Sequence, residues 1–600
     1  MNERTKTGLE ILQVALVIGI AGDLLLRVKP WGLNVLLFNI VFAAAMIMLL
    51  RRHAPERLTG QAYALIGALI FFASMFVWLD SIELRVADTF AIIAILGVLF
   101  LPTLKISARV AGLFQYAVGV VWAGLNSVFS AGVLFGSDIH WNEMSSSGWR
   151  RTALSIFRGV LIALPLLLIF GALFVAADAV YEGWVRRVLN LDFELVFSHL
   201  ALFGVFGWLS AGYLRGILFA GIPTPTATAG LSIIVSEEKK DDESPMARVR
   251  ADSGENPVML ADNRSVVEHI NSPELTNTES GSSQEAGAKE SGAETTSVPK
   301  PTWSWANLDN SVVHGFTLGS VEIGVIFGLI NLLFLSFVIV QVPYLFGGME
   351  LVQNTPDFKL AEYARRGFGE LVTVSAIVLP MLLVSHWLLK KEDGLAHKLY
   401  RVLAGVQIAL LFVIMASAAQ RLVLLTGNLG YGMTTIRLYP LIFMTWLAIV
   451  FLWFAATVLR GARQHFAWGA LWSAFFILGA THVLNPDEFI VKTNIALMRE
   501  GRDFDAGYNA SLSQDAIPAL INALPELSPK SQCIARLTLW GRLSSRNEQE
   551  NDDLRSWNFS RYNARTFLIE NTKVLNYDHK DGTHTNECSE STLWQPELYE

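Results

Sequence analysis

Charge and cysteine are what this sequence has least of. Only 16% of its 600 residues are Asp, Glu, Lys or Arg, against about a quarter in an ordinary soluble domain. A formal net charge of −7 provides no basic surface for nucleic acid. The two cysteines, Cys533 and Cys588, exclude a disulfide framework and metal-finger spacing, and at most one bridge can form. No phosphate-cradling glycine loop, zincin helix pattern or nucleophile elbow occurs, and no cofactor is implied. What is abundant is apolar bulk: 52% of the chain is hydrophobic, with 36 Phe and 17 Trp. Composition therefore points to a membrane protein whose first partner is lipid.

An apolar run of about 20 residues, rising 1.5 Å each, crosses the roughly 30 Å hydrocarbon layer, where backbone groups must satisfy one another inside a helix. Twelve segments meet that test: Leu9–Leu26, Trp31–Leu50, Ala62–Leu79, Phe90–Leu104, Ala111–Leu134, Ala153–Val175, Val196–Leu218, Val321–Val342, Glu370–Leu389, Val402–Leu422, Leu438–Val458 and Trp468–Leu484. The first lacks a small-residue cleavage site and a second span follows it at once, so it is read as a retained helix rather than a signal peptide.

The fold class is all-α: a polytopic transmembrane bundle of about 12 helices, a disordered central linker and a small α-helical C-terminal soluble domain. Residues 1–221 form a first membrane block of about seven helices, 222–310 the linker, 311–484 a second block of about five, and 485–600 the C-terminal domain with a loose tail. Between Ser236 and Pro301 lie 14 acidic and 7 basic residues, which matches the net charge of the whole chain, in a Ser- and Glu-rich composition expected to be disordered. In the C-terminal domain, Phe489–Met498 and Ala516–Leu524 carry helical periodicity, and Asn485-Pro486-Asp487 supplies a break and cap before the first.

Sidedness is contradictory at this level. Arg51, Arg52 and Arg57 after the second span make that loop cytoplasmic, whereas Lys390, Lys391, Lys398 and Arg401 after the ninth argue for the opposite parity. Five spans separate the linker from the C-terminal domain, which places those two on opposite faces.

Ionisable groups within spans are the first functional candidates. Asp23 and Arg27 are spaced as a local pair. Arg158 and Asp178, about 30 Å apart along one helix, bracket the hydrocarbon around Pro165. Glu322, Glu370, His386, Arg421 and His482 lie near span ends. Neutral Asn34, Asn39, Asn126, Asn331 and Gln407 are expected to bond between helices, and Gly324-xxx-Gly328 to form a close helix contact. Arg150-Arg151 before Pro165 and Arg365-Arg366 before Pro380 share an offset, a possible inverted repeat. Asp80, Glu83, Arg85 and Asp88 crowd a short connection, where Arg85 can hold carboxylates. Asp578, His579, Asp581, His584 and Cys588 are too loosely spaced for a metal site.

Tyr363-Ala364-Arg365-Arg366-Gly367-Phe368-Gly369-Glu370-Leu371 resembles the hallmark of a family of uncharacterised bacterial polytopic membrane proteins, a domain of unknown function. Tyr344 to Gly348, Tyr431 to Thr434, Arg437-Leu438-Tyr439, Asn485 to Asp487, Asp515 to Leu520 and Arg555 to Asn558 agree with it, most densely from Val340 to Arg565. Gly369 stands where a second aromatic is expected. The resemblance implies a bacterial cell membrane and no established substrate, reaction or ligand.

The leading functional expectation is transport or scaffolding within that membrane, without catalysis. A sensor or regulator signalling through the C-terminal domain, with a protein partner there, comes second. A membrane enzyme comes third. It would need Asp80, Glu83, Arg85 and Asp88 to meet Arg365 and Glu370, and the span count puts those two loops on opposite faces.

Overall fold

The computed structural model describes residues 2–140, 193–219, 318–346, 368–390, 392–423, 426, 432–547 and 553–575. Met1–Gly221 and Trp305–Glu600 form one compact unit, and a second, Ile222–Ser304, lies outside the described residues. The membrane helices are α1 Glu3–Leu26, α2 Leu33–His53, α3 Gly60–Trp78, α4 Ile82–Phe100, α5 Leu113–Val133 and α6 Phe193–Leu218. They continue as α7 Ser320–Phe346, α8 Phe368–Leu388, α9 Gly394–Val423, α10 Thr435–Thr457 and α11 Phe466–Leu484. The C-terminal domain follows as α12 Pro486–Arg499, α13 Ala506–Ser511, α14 Ile517–Ala523, α15 Pro529–Asn547, α16 Phe559–Glu570 and α17 Thr572–Leu575.

Eleven helices are long and apolar enough to cross a membrane, and they coincide with eleven of the twelve expected spans. The twelfth, Ala153–Val175, lies outside the described residues, as do the tail candidates Asp578 to Cys588 and the first arm of the proposed repeat. Among the described residues the β-structure is one isolated bridge, Leu318 to Leu389.

Three apolar cores hold the unit together. One joins α1 to α6, a second joins α7 to α10, and a third fills the C-terminal domain. α11 ties the first two, since Phe475 packs in one and Phe466 and Ala470 in the other. Leu438, at the start of α10, belongs to the third. Because lipid is as apolar as these side chains, close van der Waals packing rather than water exclusion holds the helices together. Gly19 shows this in α1: a Cβ there would lie 2.8 Å from the Phe203 carbonyl oxygen of α6. The Gly324/Gly328 expectation is half met. A Cβ at Gly324 would sit 3.2 Å from Leu399, whereas Gly328 has open space.

Helix direction follows from the polar pairs. Asp23 bonds His199 and Arg27 bonds Ser198 at 2.6 and 2.8 Å, so the end of α1 lies beside the start of α6 and the two run antiparallel. The expected Asp23–Arg27 pair is present at 2.9 Å. At the opposite end, Asp138 bridges Arg4 at 2.7 Å and Arg215 at 2.5 Å. α5 therefore does not cross as its composition suggested. It starts beside the end of α4, where Gly119 adjoins Leu101, and runs inward to where Trp208 donates to the Val128 carbonyl. A π-helical turn, Leu134–Asp138, then brings it back to Arg4. Wide i→i+5 turns of this kind bend helices without proline.

One crossing fewer reverses the parity of everything downstream. α10 begins beside the α3–α4 turn, where Tyr439 meets Ser81 at 3.2 Å. The α8–α9 connection then falls at the other end, with the ends of α2 and α4: Tyr400 in α9 donates to Leu382 in α8, and Arg463, just past α10, lies near both His386 and Tyr400. Arg51, Arg52 and Arg57 thus share an end with Lys390, Lys398 and Arg401, and the contradiction in the sequence disappears. The same shift overturns the expectation for the loops after the third and eighth spans. The α3–α4 turn and the start of α8 share the end that carries the C-terminal domain.

Packing at Gly212 offers a direct test. A Cβ there would collide with the Asn126 and Ser127 carbonyl oxygens of α5, backbone atoms that cannot rotate away, whereas Gly204 on the same helix has open space. Gly212→Ala is expected to destabilise the detergent-solubilised protein by about 1–3 kcal/mol, read as a lower Tm. Gly204→Ala should leave Tm unchanged, and equal Tm values for the two variants would contradict this packing.

Candidate functional site

The densest polar site lies where the C-terminal domain meets the bundle. α3 ends at Trp78 and α4 begins at Ile82, so the turn between them carries carbonyls and amides that no helix satisfies. Asn558 supplies the donors: its Nδ2 bonds the Phe76 and Leu79 carbonyls at 2.8 and 3.0 Å. Asp515 supplies the acceptor: its carboxylate receives the Asp80 and Ser81 amides at 2.9 and 3.0 Å. Both side chains are themselves held. Asn558 Oδ1 caps α16 by accepting the Arg561 amide, and the Ser513 hydroxyl donates to Asp515 at 2.8 Å.

Charges surround this joint. Asp80 receives Arg85 at 2.5 Å and Arg561 at 3.1 Å, and Arg561 also donates to the Trp31 carbonyl. The Ser81 hydroxyl donates to Glu83 at 2.9 Å. The α1–α2 connection joins as well: Leu33 N–H donates to the Trp557 carbonyl, and Arg555 reaches the Leu24 carbonyl. Gly32 permits that approach, because a Cβ there would collide with the Trp557 carbonyl oxygen. Before α10, Asn494 exchanges two hydrogen bonds with the Met433 backbone and Tyr508 accepts the Thr435 amide.

Beneath the joint, Asp88 of α4 and His482 of α11 meet at 3.0 Å, each side chain 1% exposed. His482 Nδ1 faces the Leu478 carbonyl at 2.8 Å. A carbonyl only accepts, so Nδ1 carries a hydrogen. Nε2 then either accepts a proton from neutral Asp88 or, protonated, pairs with its carboxylate. In both cases one proton is shared between α4 and the helix that leads into the C-terminal domain.

Asp487, the second residue of that domain, is 2% exposed. Its Oδ2 accepts the Ser513 amide at 3.2 Å and its Oδ1 has no partner. Burial pushes its carboxyl up to about 6, and the charges of Asp515 and Glu83 add to the rise against the Ser513 hydrogen bonds. Burial raises Asp515 as well, although the Ser560 and Ser513 hydroxyls and the Asp80 amide favour its charge. Among the described residues no group of three or more His, Cys, Asp or Glu could hold a metal. What the arrangement can do is hold a proton on the buried Asp487 carboxyl.

The structure gathers four of the sequence-derived candidates here: Asp80, Glu83, Arg85 and Asp88. Arg437 stands at the same end, bonding the Gly432 carbonyl. Pro380 is accommodated within α8, a single continuous helix. Arg158, Pro165, Asp178, Tyr363, Arg365 and Arg366 lie outside the described residues, and so does the Glu370 side chain. Asn34, Asn39 and Asn126 depart from the expected inter-helix bonding. Their side chains donate to the Val28, Val35 and Trp122 carbonyls, so each satisfies itself locally. Asn331 alone of the five reaches another helix, through Leu403 O at 3.0 Å. Asn485 breaks the chain by its left-handed backbone, φ 50°, not by a side-chain cap.

The sequence did not single out Asp487, Asp515, Asn558 or Arg561 as functional residues. No local signal pairs Asp515 with Asp80, 435 residues apart.

A raised carboxyl pKa stabilises the docked state only while the group is protonated. That contribution is complete below the ordinary value of 3.8 and is lost as pH rises through about 6. It amounts to at most about 3 kcal/mol. The Tm of the intact protein is expected to fall between pH 5 and 7.5, and Asp487→Asn should flatten that fall and raise Tm at pH 7.5. An identical pH profile in both proteins would exclude Asp487 as its source.

Comparison with known proteins places this geometry in a family but not in a pathway. No curated protein and no solved structure matches the chain. A domain of unknown function, DUF4153, matches residues 66–234 and 289–523, taking in nine of the eleven described membrane helices in whole or part and α12 to α14. The match therefore covers both the α3–α4 turn and Asp515 that caps it, and the chain, with its many membrane-spanning helices, belongs to the DUF4153 family.

Proposed function

We propose that this protein is a sensor or regulator of the bacterial cytoplasmic membrane, in which an extracytoplasmic C-terminal domain is latched to the bundle and reports through it to the cytoplasmic side. The observation that carries this reading is the joint at Leu79–Ser81. Asp515 and Asn558 complete the hydrogen bonding of two membrane helices, so the domain cannot move without disturbing α3 and α4. Asp88 and His482 extend the same coupling to α11.

Two independent features orient it. Arg4, Arg51, Arg52, Arg57, Lys390, Lys398 and Arg401 gather at the end opposite the C-terminal domain, which the positive-inside preference makes cytoplasmic. Cys533 is disulfide-bonded. A disulfide belongs to an oxidising compartment, which supports a C-terminal domain outside the cytoplasm. α6 ends and α7 begins at the same end as the basic residues.

Transport keeps one specific observation in its favour. Gln407 of α9 is fully buried with neither amide atom bonded, and the Asn331 carbonyl oxygen of α7 also lacks a partner. Such groups cost about 1–3 kcal/mol each when unsatisfied, a cost that a polar solute passing between α7 and α9 would relieve.

Single cysteines separate the orientations: in intact cells Glu500→Cys should react with an impermeant maleimide, and Lys398→Cys only after permeabilisation. Coupling is tested by Asp515→Ala, which should change the rate of protease cleavage within residues 222–304 in inside-out vesicles. An unchanged rate would remove the regulatory reading. Gln407→Leu should raise Tm by the equivalent of about 1–3 kcal/mol. A fall in Tm would mean that the amide already has its partner and would end the argument for transport.

A further inference from the structure

We infer that the C-terminal domain is not a purely water-exposed cap: its edge formed by Leu554, Trp557, Phe559 and Tyr562 is seated in the lipid interface of the outer leaflet. Apolar residues in the first part of this domain are well covered, and beyond this edge the exposed ones are Leu537, Ile569 and Val574. From Pro486 to Arg536 no large apolar side chain is exposed. The exception begins where the chain returns to the bundle. Leu554 is 79% exposed, Tyr562 60% and Phe559 49%, with Trp557 beside them. Phe559 and Tyr562 stand one turn apart on α16, on the face opposite Ser560, Arg561 and Ala564, which are buried. Water is a poor solvent for that face, and an exposed apolar patch of this kind marks a contact surface.

Its position names the occupant. The backbone of this segment is bonded to the ends of membrane helices: Arg555 donates to the Leu24 carbonyl in the last turn of α1, and Trp557 accepts from Leu33, the first residue of α2. Leu554 and Trp557 therefore lie at the depth where the apolar surface of α1 gives out. That surface is itself lipid-facing, with Leu16, Ile20 and Leu24 exposed along it, and Trp31 continues it upward. An aromatic rim at this level has the composition of a membrane-interface belt, whose rings sit among headgroups with their polar atoms in water. Lys29, exposed on the same connection, is placed to reach headgroup phosphates along its aliphatic stem. The occupant is the bilayer, and the surface is continuous with the one the membrane helices already present to lipid.

The test uses the full-length protein in phosphatidylcholine–phosphatidylglycerol vesicles, with one nitroxide attached at Leu554→Cys or Tyr562→Cys, both exposed positions that tolerate a label. Glu500→Cys, exposed elsewhere in the same domain, serves as reference. Power-saturation spectroscopy is expected to show high oxygen and low aqueous nickel-chelate accessibility at 554 and 562, and the reverse at 500. Nickel accessibility at both sites equal to that at 500 would overturn the proposal. Dipolar broadening between labels on two copies, persisting at high lipid-to-protein ratio, would overturn it too, by assigning the patch to a second copy of the chain.

Discussion

The turn between α3 and α4 is three residues long, and its unsatisfied backbone groups govern how the rest of the molecule is arranged. Helix ends leave amides and carbonyls without partners, and at a membrane boundary water reaches them only in part. Here Asp515 and Asn558, more than 400 residues along the chain, provide the missing acceptor and donors. The C-terminal helices consequently belong to the membrane fold. Leu438 of α10 packs into their core, and α11 runs into α12 with only the left-handed Asn485 between them.

Several largely buried carboxylates are each shared between two cationic side chains. Asp138 is divided between Arg4 and Arg215, Asp23 between Arg27 and His199, and Asp80 between Arg85 and Arg561. Each group lies near a helix end, where the penalty for a charge is smaller and a cation can reach an anion on a neighbouring helix. Asp88 and His482 go deeper, into the second turn of α4, and can resolve the cost by sharing one proton. With Asp487 above them, they form a line of titratable groups from the cap into the bundle.

Much of the architecture was legible in the chain. Eleven spans were found within a few residues, save a later first residue in α1, α4 and α9, because bilayer thickness imposes a length that composition reveals directly. The helical patches at Phe489–Met498 and Ala516–Leu524 were equally plain. α5 was misread for a physical reason: an apolar helix that enters and returns has the same composition as one that crosses, and only the Asp138 pairing with Arg4 and Arg215 distinguishes them. Asn34, Asn39 and Asn126 were misread because an Asn side chain can satisfy itself on a nearby carbonyl as readily as on another helix. At the candidate site, Asp80 to Asp88 drew notice through charge density. Their partners did not, since Asp515 and Asn558 are single polar residues in unremarkable surroundings.

Hydrophobic runs, few charges and an acidic central stretch were enough to establish a helical membrane protein, because lipid permits no other way to thread apolar chain of this length through it. Direction, sidedness and the docking of the C-terminal helices depend on which residue meets which across hundreds of positions. Those pairings arise only when helices pack, and a single returning helix among them reversed the parity of every segment that follows.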